Sequence, residues 1–171
     1  MAINLYRLKE SLLRSLPLIF LIYVCISEFH TQFYYWSIFS FNLQFIIIYY
    51  WVLRDPSILG YGFIFICGLI NDVVLSLNLG TSPLSYLFVS LVAAYIRTAT
   101  VRSTLISDWF TFVIAIMGGN FITFILIKNF SVVEVSYSDF FYNSLFTFVL
   151  YPVFWLIFEL YKKGVSLRTY D

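Results

Sequence analysis

Apolar residues run along this 171-residue chain in long blocks rather than in narrow stripes. A helix buried in a soluble fold keeps a polar face, whereas one crossing about 30 Å of hydrocarbon needs roughly 17 to 25 residues that are mostly apolar. Six blocks meet that description and predict six transmembrane helices, at about 12–29, 36–53, 58–79, 84–96, 109–127 and 141–161. The fourth is short; either Thr98 to Thr100 extend it or it is tilted. Connections are brief and nothing resembles a linker, so residues 1–171 read as one all-α membrane domain ending in a cytoplasmic tail at 162–171.

The opening stretch, "MAINLYRLKESLLRS", has a different period. Arg7, Glu10 and Arg14 recur at spacings of three and four opposite Leu5, Leu8, Leu12 and Leu16, which predicts an interfacial helix over residues 1–15. An anchor on the bilayer surface is the simpler role for it, a docking surface for a cytoplasmic partner the alternative. Pro17 bends the junction with the first span. A cleaved leader is not expected, because no small-x-small site follows, and Val24 stands where a lipoprotein signal at Cys25 would need a small residue.

Composition fixes the solvent. The chain is 61% hydrophobic and 11% charged, with a mean hydropathy of +0.90, where soluble domains carry about a quarter charged residues. The 20 Phe and 14 Tyr fit a genome rich in AT codons better than an aromatic ligand cage. A net charge of +1 and the lack of any Lys/Arg run speak against nucleic acid as a partner and leave membrane lipids. Cys25 and Cys67 sit in apolar runs and read as packing residues.

Basic residues then orient the helices. Arg7, Lys9, Arg14, Arg54, Arg97, Arg102, Lys162, Lys163 and Arg168 fall on one side of a six-span layout and only Lys128 on the other, which places both termini in the cytoplasm. Glu28, Glu134 and Asp139 fall in outer loops. Tyr34, Tyr35 and Trp36 at one interface, with Trp51 and Trp109 at the other, are expected to form aromatic belts.

Against this background the polar residues of "GLINDVVLSLNLGTSPL", Gly68 to Leu84, stand out. On a straight helix from Ile58, Asp72 lies ~21 Å from the cytoplasmic end and ~10 Å from the outer end. A carboxylate at that depth faces protein or water, or is protonated. Gly68, Asn71 and Asp72 share one small, polar helix face suited to close approach and an interhelical hydrogen bond. Gly80 is expected to cap the third helix and Pro83 to start the fourth. Asp72 would bond to backbone or to a hydroxyl of the fourth or fifth helix, with Asn120 and Thr123 beside Gly118 and Gly119 as a candidate notch. Glu159, three and four residues before Lys162 and Lys163, reads as a local ion pair.

Enzyme chemistry has little to stand on. His30 is the single histidine and lies in a short outer loop; there is no HExxH, CxxC or phosphate loop, and Asp72 has no evident second carboxylate for a protease dyad. No catalytic residue, cofactor or metal site is therefore expected. A membrane-embedded hydrolase would need a second converging carboxylate or a Ser/His pair.

The stretch "YWVLRDPSILGYGFIFICGLINDVVLSLNLGTSPL" resembles the MreD family of bacterial rod shape-determining proteins. Pro56, Phe65, Gly68, Asp72, Leu79, Gly80 and Leu84 match its pattern without gaps, as does Pro152 in the last span; length and layout agree over essentially the whole chain. Ser76 stands where many members have Gly, and Ile64 where a Gly often precedes the Phe, which predicts looser packing of the third helix. The resemblance implies an architecture similar to the S components of energy-coupling-factor transporters. It also implies a multi-pass plasma-membrane protein without enzymatic activity, serving cell shape and side-wall peptidoglycan synthesis. Its partner would be an MreC-like protein, and through it the MreB filament, the SEDS glycosyltransferase and the class B penicillin-binding transpeptidase. Gly68, Asn71, Asp72, Gly80, Pro83 and Asn120 are the candidate packing or partner-site residues. The alternative is an S-component-like vitamin-binding transporter subunit, with Asp72 and Asn120 holding a polar ligand. The Ala-x-x-x-Ala coupling motifs of such subunits are missing from the first span.

Overall fold

The computed structural model describes residues 15–27, 41–100, 104–130 and 137–167, and these fold as six helices with no strand among them. They are α1 (Ser15–Ile26), α2 (Leu43–Arg54), α3 (Tyr61–Val74), α4 (Thr81–Ala99), α5 (Leu105–Phe130) and α6 (Tyr137–Leu167). Residues 1–14 of the interfacial helix expected over 1–15, His30, Glu28, Glu134 and the aromatic cluster at 34–36 lie outside the described residues, as does the side chain of Asp139.

Two helices, α5 and α6, are long and apolar enough to cross a membrane. At 26 and 31 residues they reach about 39 and 46 Å. Only 33% and 17% of their apolar stretches are buried, which separates them from the core helix of a soluble protein. Ile106, Phe110, Ile114, Met117 and Phe121 form an outward stripe on α5, each more than half exposed. A continuous apolar face of that kind marks contact with lipid or another protein rather than with water.

At the centre lies α2, with ten of its twelve residues buried. It packs on α4, α5 and α6, and α4 packs on α3 and α5. Tyr49 fits between Phe112 and Tyr151, and Phe158 meets Tyr50 and Trp51. Trp51 is thus a core residue and not part of an interfacial belt. Asp55, extended ahead of Pro56, ends α2 and takes the next turn through Ser57. Side-chain contacts show that α2 to α6 alternate in direction. Arg54, Asp108, Trp155 and Glu159 gather at one end of the bundle. Asn42, Ser82, Asn120 and Ser144 gather at the other.

Helix boundaries depart from the sequence expectation where polar groups intervene. Phe41 and Asn42 are not helical, and α2 begins only at Leu43. The third helix ends at Val74, not at 79. Its end is a Schellman closure: Ser76 has φ +53, Leu77 N–H bonds to Asp72 C=O at 2.9 Å and Ser76 N–H to Val73 C=O at 3.3 Å. Ser76 therefore occupies the left-handed position where glycine is the usual residue. Ile64 is fully buried, so neither departure from the MreD pattern loosens α3. Gly80 caps the start of α4 rather than the end of α3, with φ +105.

Pro152 lies inside α6 without ending it. A proline leaves the carbonyl four residues earlier without its helical donor. That carbonyl, on Phe148, accepts the indole N–H of Trp109 at 2.9 Å, and the two rings stack 4.9 Å apart. Trp109 was expected at an interface; its indole instead completes the backbone of α6.

Candidate functional site

The α3–α4 corner is built by five of the six nominated residues. Asp72, with no exposed surface, accepts Gly80 N–H through Oδ2 at 2.7 Å and Ser82 N–H through Oδ1 at 2.8 Å. The first amides of a helix have no partner within it and carry a partial positive charge. Here every one is satisfied: Thr81 N–H goes to Asn78 C=O, Leu84 N–H to Gly80 C=O, and Pro83 has none to place. Asp72 is the N-terminal cap of α4, donated from α3. Asn71 Nδ2 adds a bond to Ser82 Oγ at 2.8 Å. Gly68 lets the two helices meet, since a Cβ there would fall 2.6 Å from Pro83 Cα and N.

Asn120 belongs to a different network. It accepts from Asn42 Nδ2 at 2.9 Å and donates to Ser144 Oγ at 2.6 Å, tying α5 to α6 and to the start of α2. Thr123 bonds to Ser85. The expected notch for Asp72 on α5 is therefore absent; Gly118 and Gly119 accommodate the rings of Phe88 and Phe45 instead. The corner and the Asn120 network nevertheless share one chamber of about 340 Å³, lined by Asn42, Gln44, Asn71, Ser82 and Asn120, with Phe45 among its apolar walls.

A second polar cluster, at the opposite end, was not anticipated. Arg54 Nη2 lies 2.9 Å from Asp108 Oδ2, the sole ion pair among the described residues, with the Asp108 side chain 1% exposed. Trp155 Nε1 reaches the same oxygen at 3.4 Å, and the guanidinium sits 5.5 Å from the centre of the Trp155 ring. Tyr50 donates to Glu159 Oε2 at 3.0 Å. Glu159 therefore pairs with a helix-α2 hydroxyl and with neither Lys162 nor Lys163. A signal for Arg54 and Asp108 did exist: opposite charges at the end of one apolar block and the start of another on the same predicted side.

Both cysteines are free and buried. Among the described residues no group of three His, Cys, Asp or Glu could hold a metal ion. Both oxygens of Asp72 are engaged by amides, so they offer no base to a neighbouring hydroxyl. What the arrangement can do is pack, and receive a molecule in the chamber.

No family model matches the chain, and neither does any curated protein or solved structure.

Proposed function

We propose that this chain is a multi-pass plasma-membrane protein of the MreD kind, a non-enzymatic component of a cell-elongation complex that holds an MreC-like partner. Six spans with both termini in the cytoplasm complete the reading, supported by the alternating helix directions and by the basic residues on one side. The observation that carries it is the division of labour among the residues of the resemblance. Gly68, Asp72 and Gly80 build a stiff corner, while Phe65, Leu79 and Leu84 project outward from it, 42%, 71% and 51% exposed. A preorganised corner that displays large apolar side chains is the arrangement a membrane helix can dock on. Through that helix the chain would reach the MreB filament, the SEDS glycosyltransferase and the class B transpeptidase.

Recovery of partners from native membranes tests this. A single-span MreC-like protein should co-purify, and Leu79→Ser with Leu84→Ser should lower its recovery several-fold at equal abundance of the bait. Capture of the ATPases of an energy-coupling-factor transporter would overturn the proposal in favour of the transporter subunit. Tags at both termini and at Arg102 should report cytoplasm and probes at His30, the exposed Asn78 and Glu134 the outside; a cytoplasmic Asn78 would sink the six-span layout.

A further inference from the structure

The chamber between α2, α3, α4, α5 and α6 differs from the polar cluster at the opposite end of the bundle, where Arg54 and Asp108 form an ion pair. Among the described residues its polar lining consists of amides and hydroxyls, with no charged side chain. Asp72, beside the lining residue Asn71, has both oxygens taken up by the amides of Gly80 and Ser82. An ion placed there would lose its hydration without a counter-charge, which costs several kcal/mol on general grounds. This lining therefore favours a neutral molecule over an ion.

Three of the amides show what it must offer. Asn42, Gln44 and Asn71 each engage the nitrogen end, with Asn120 Oδ1, Val24 C=O and Ser82 Oγ respectively. Their carbonyl oxygens accept nothing from the described residues. Acceptors on one chamber call for a molecule rich in N–H or O–H donors, and Phe45 and Tyr86 in the same lining supply flat apolar walls. A volume of about 340 Å³ lies within the range of small-molecule sites. We propose that the chamber binds a neutral ring compound carrying several N–H or O–H donors, either as a free solute such as a nucleoside or as the sugar headgroup of an uncharged glycolipid. The inference is independent of the cell-shape reading, because a scaffold and a transporter subunit could equally hold such a ligand.

Equilibrium dialysis of the full chain in detergent micelles, with uridine, N-acetylglucosamine and uridine monophosphate as probes, tests the chemistry. At least one neutral probe should bind, and the monophosphate about tenfold more weakly or not at all. Gln44→Met, which keeps the volume and removes one acceptor together with the long bond to Val24 C=O, should weaken the neutral probe about tenfold while the thermal midpoint falls by no more than the loss of one weak hydrogen bond allows. Leu77→Trp, which fills the chamber from its loop wall, should abolish binding and guards against a misfolded first variant. Native mass spectrometry separates the sources: an adduct of lipid mass lost with Leu77→Trp identifies a glycolipid, and a small-molecule adduct a solute. Failure of both neutral probes together with no retained adduct would show that the chamber holds water only, and equal binding of the monophosphate would refute the neutral-ligand assignment.

Discussion

Asp72 and Asp108 are both completely buried, yet the chain engages both oxygens of the first from nearby and only Oδ2 of the second, from far away, leaving Asp108 Oδ1 without a partner among the described residues. Asp72 is held by backbone amides eight and ten residues ahead of it. Asp108 is held by a guanidinium 54 residues behind it and an indole 47 residues ahead. The same division recurs at the level of backbone carbonyls. The end of α3 closes on itself through Ser76 and Leu77, whereas the carbonyl freed by Pro152 waits for Trp109 from another helix. Local closure depends on short-range geometry and leaves a motif in the sequence. Distant closure depends on which helices become neighbours, and it binds α5 to α2 and α6.

The two aspartates should respond differently to loss of the partner. Asp108→Leu leaves Arg54 inside the bundle without its counter-charge and should cost about 3 kcal/mol, the low end for a buried pair because Arg54 keeps some exposure. Adding Arg54→Leu should restore most of that, since an apolar pair can replace a buried ion pair. Unfolding titrations in mixed micelles measure both; a double variant no better than Asp108→Leu would mean that the cluster acts through more than charge balance. No such rescue is open to Asp72→Leu, whose partners are backbone.

Next in size is Asp72→Asn. The amide can accept through only one of its two ends, so its nitrogen would face an N–H that Asp72 now satisfies, at a cost of about 1 to 2 kcal/mol. Unchanged stability would show that one α4 amide finds another acceptor and that the cap is not specific to a carboxylate.

Trp109→Phe should cost about 1 kcal/mol by leaving Phe148 C=O without a donor, and much less when combined with Pro152→Ala, which gives that carbonyl its helical partner back. The coupling energy of the four-way cycle is the quantity to measure. Additivity would sever the link between the indole and the proline.

The smallest effect runs the other way. Ser76→Gly removes the strain of a left-handed non-glycine residue, worth about 1 to 2 kcal/mol, against an entropic penalty of about 0.5 to 1 kcal/mol in the unfolded chain. A gain of about 0.5 kcal/mol in the same titration is expected, and a loss would argue that the hydroxyl contributes to the turn.

What the sequence determined by itself follows from these contrasts. An all-helical chain with long apolar blocks was legible, because helix formation and partition away from water are set by composition over a window of about 20 residues. So was the use of Gly68, Asn71 and Asp72 as one face, because positions three and four apart on a helix must meet. Tertiary structure alone decided that Asn120 turns to Asn42 and Ser144 instead of Asp72. It also decided that Trp51 is core, that Glu159 answers Tyr50, and that Arg54 finds Asp108. Each of these is a buried polar atom or ring choosing among partners far along the chain. A hydrogen bond or ion pair inside a bundle forms with whatever group packing brings within about 3 Å, and sequence spacing does not encode that distance.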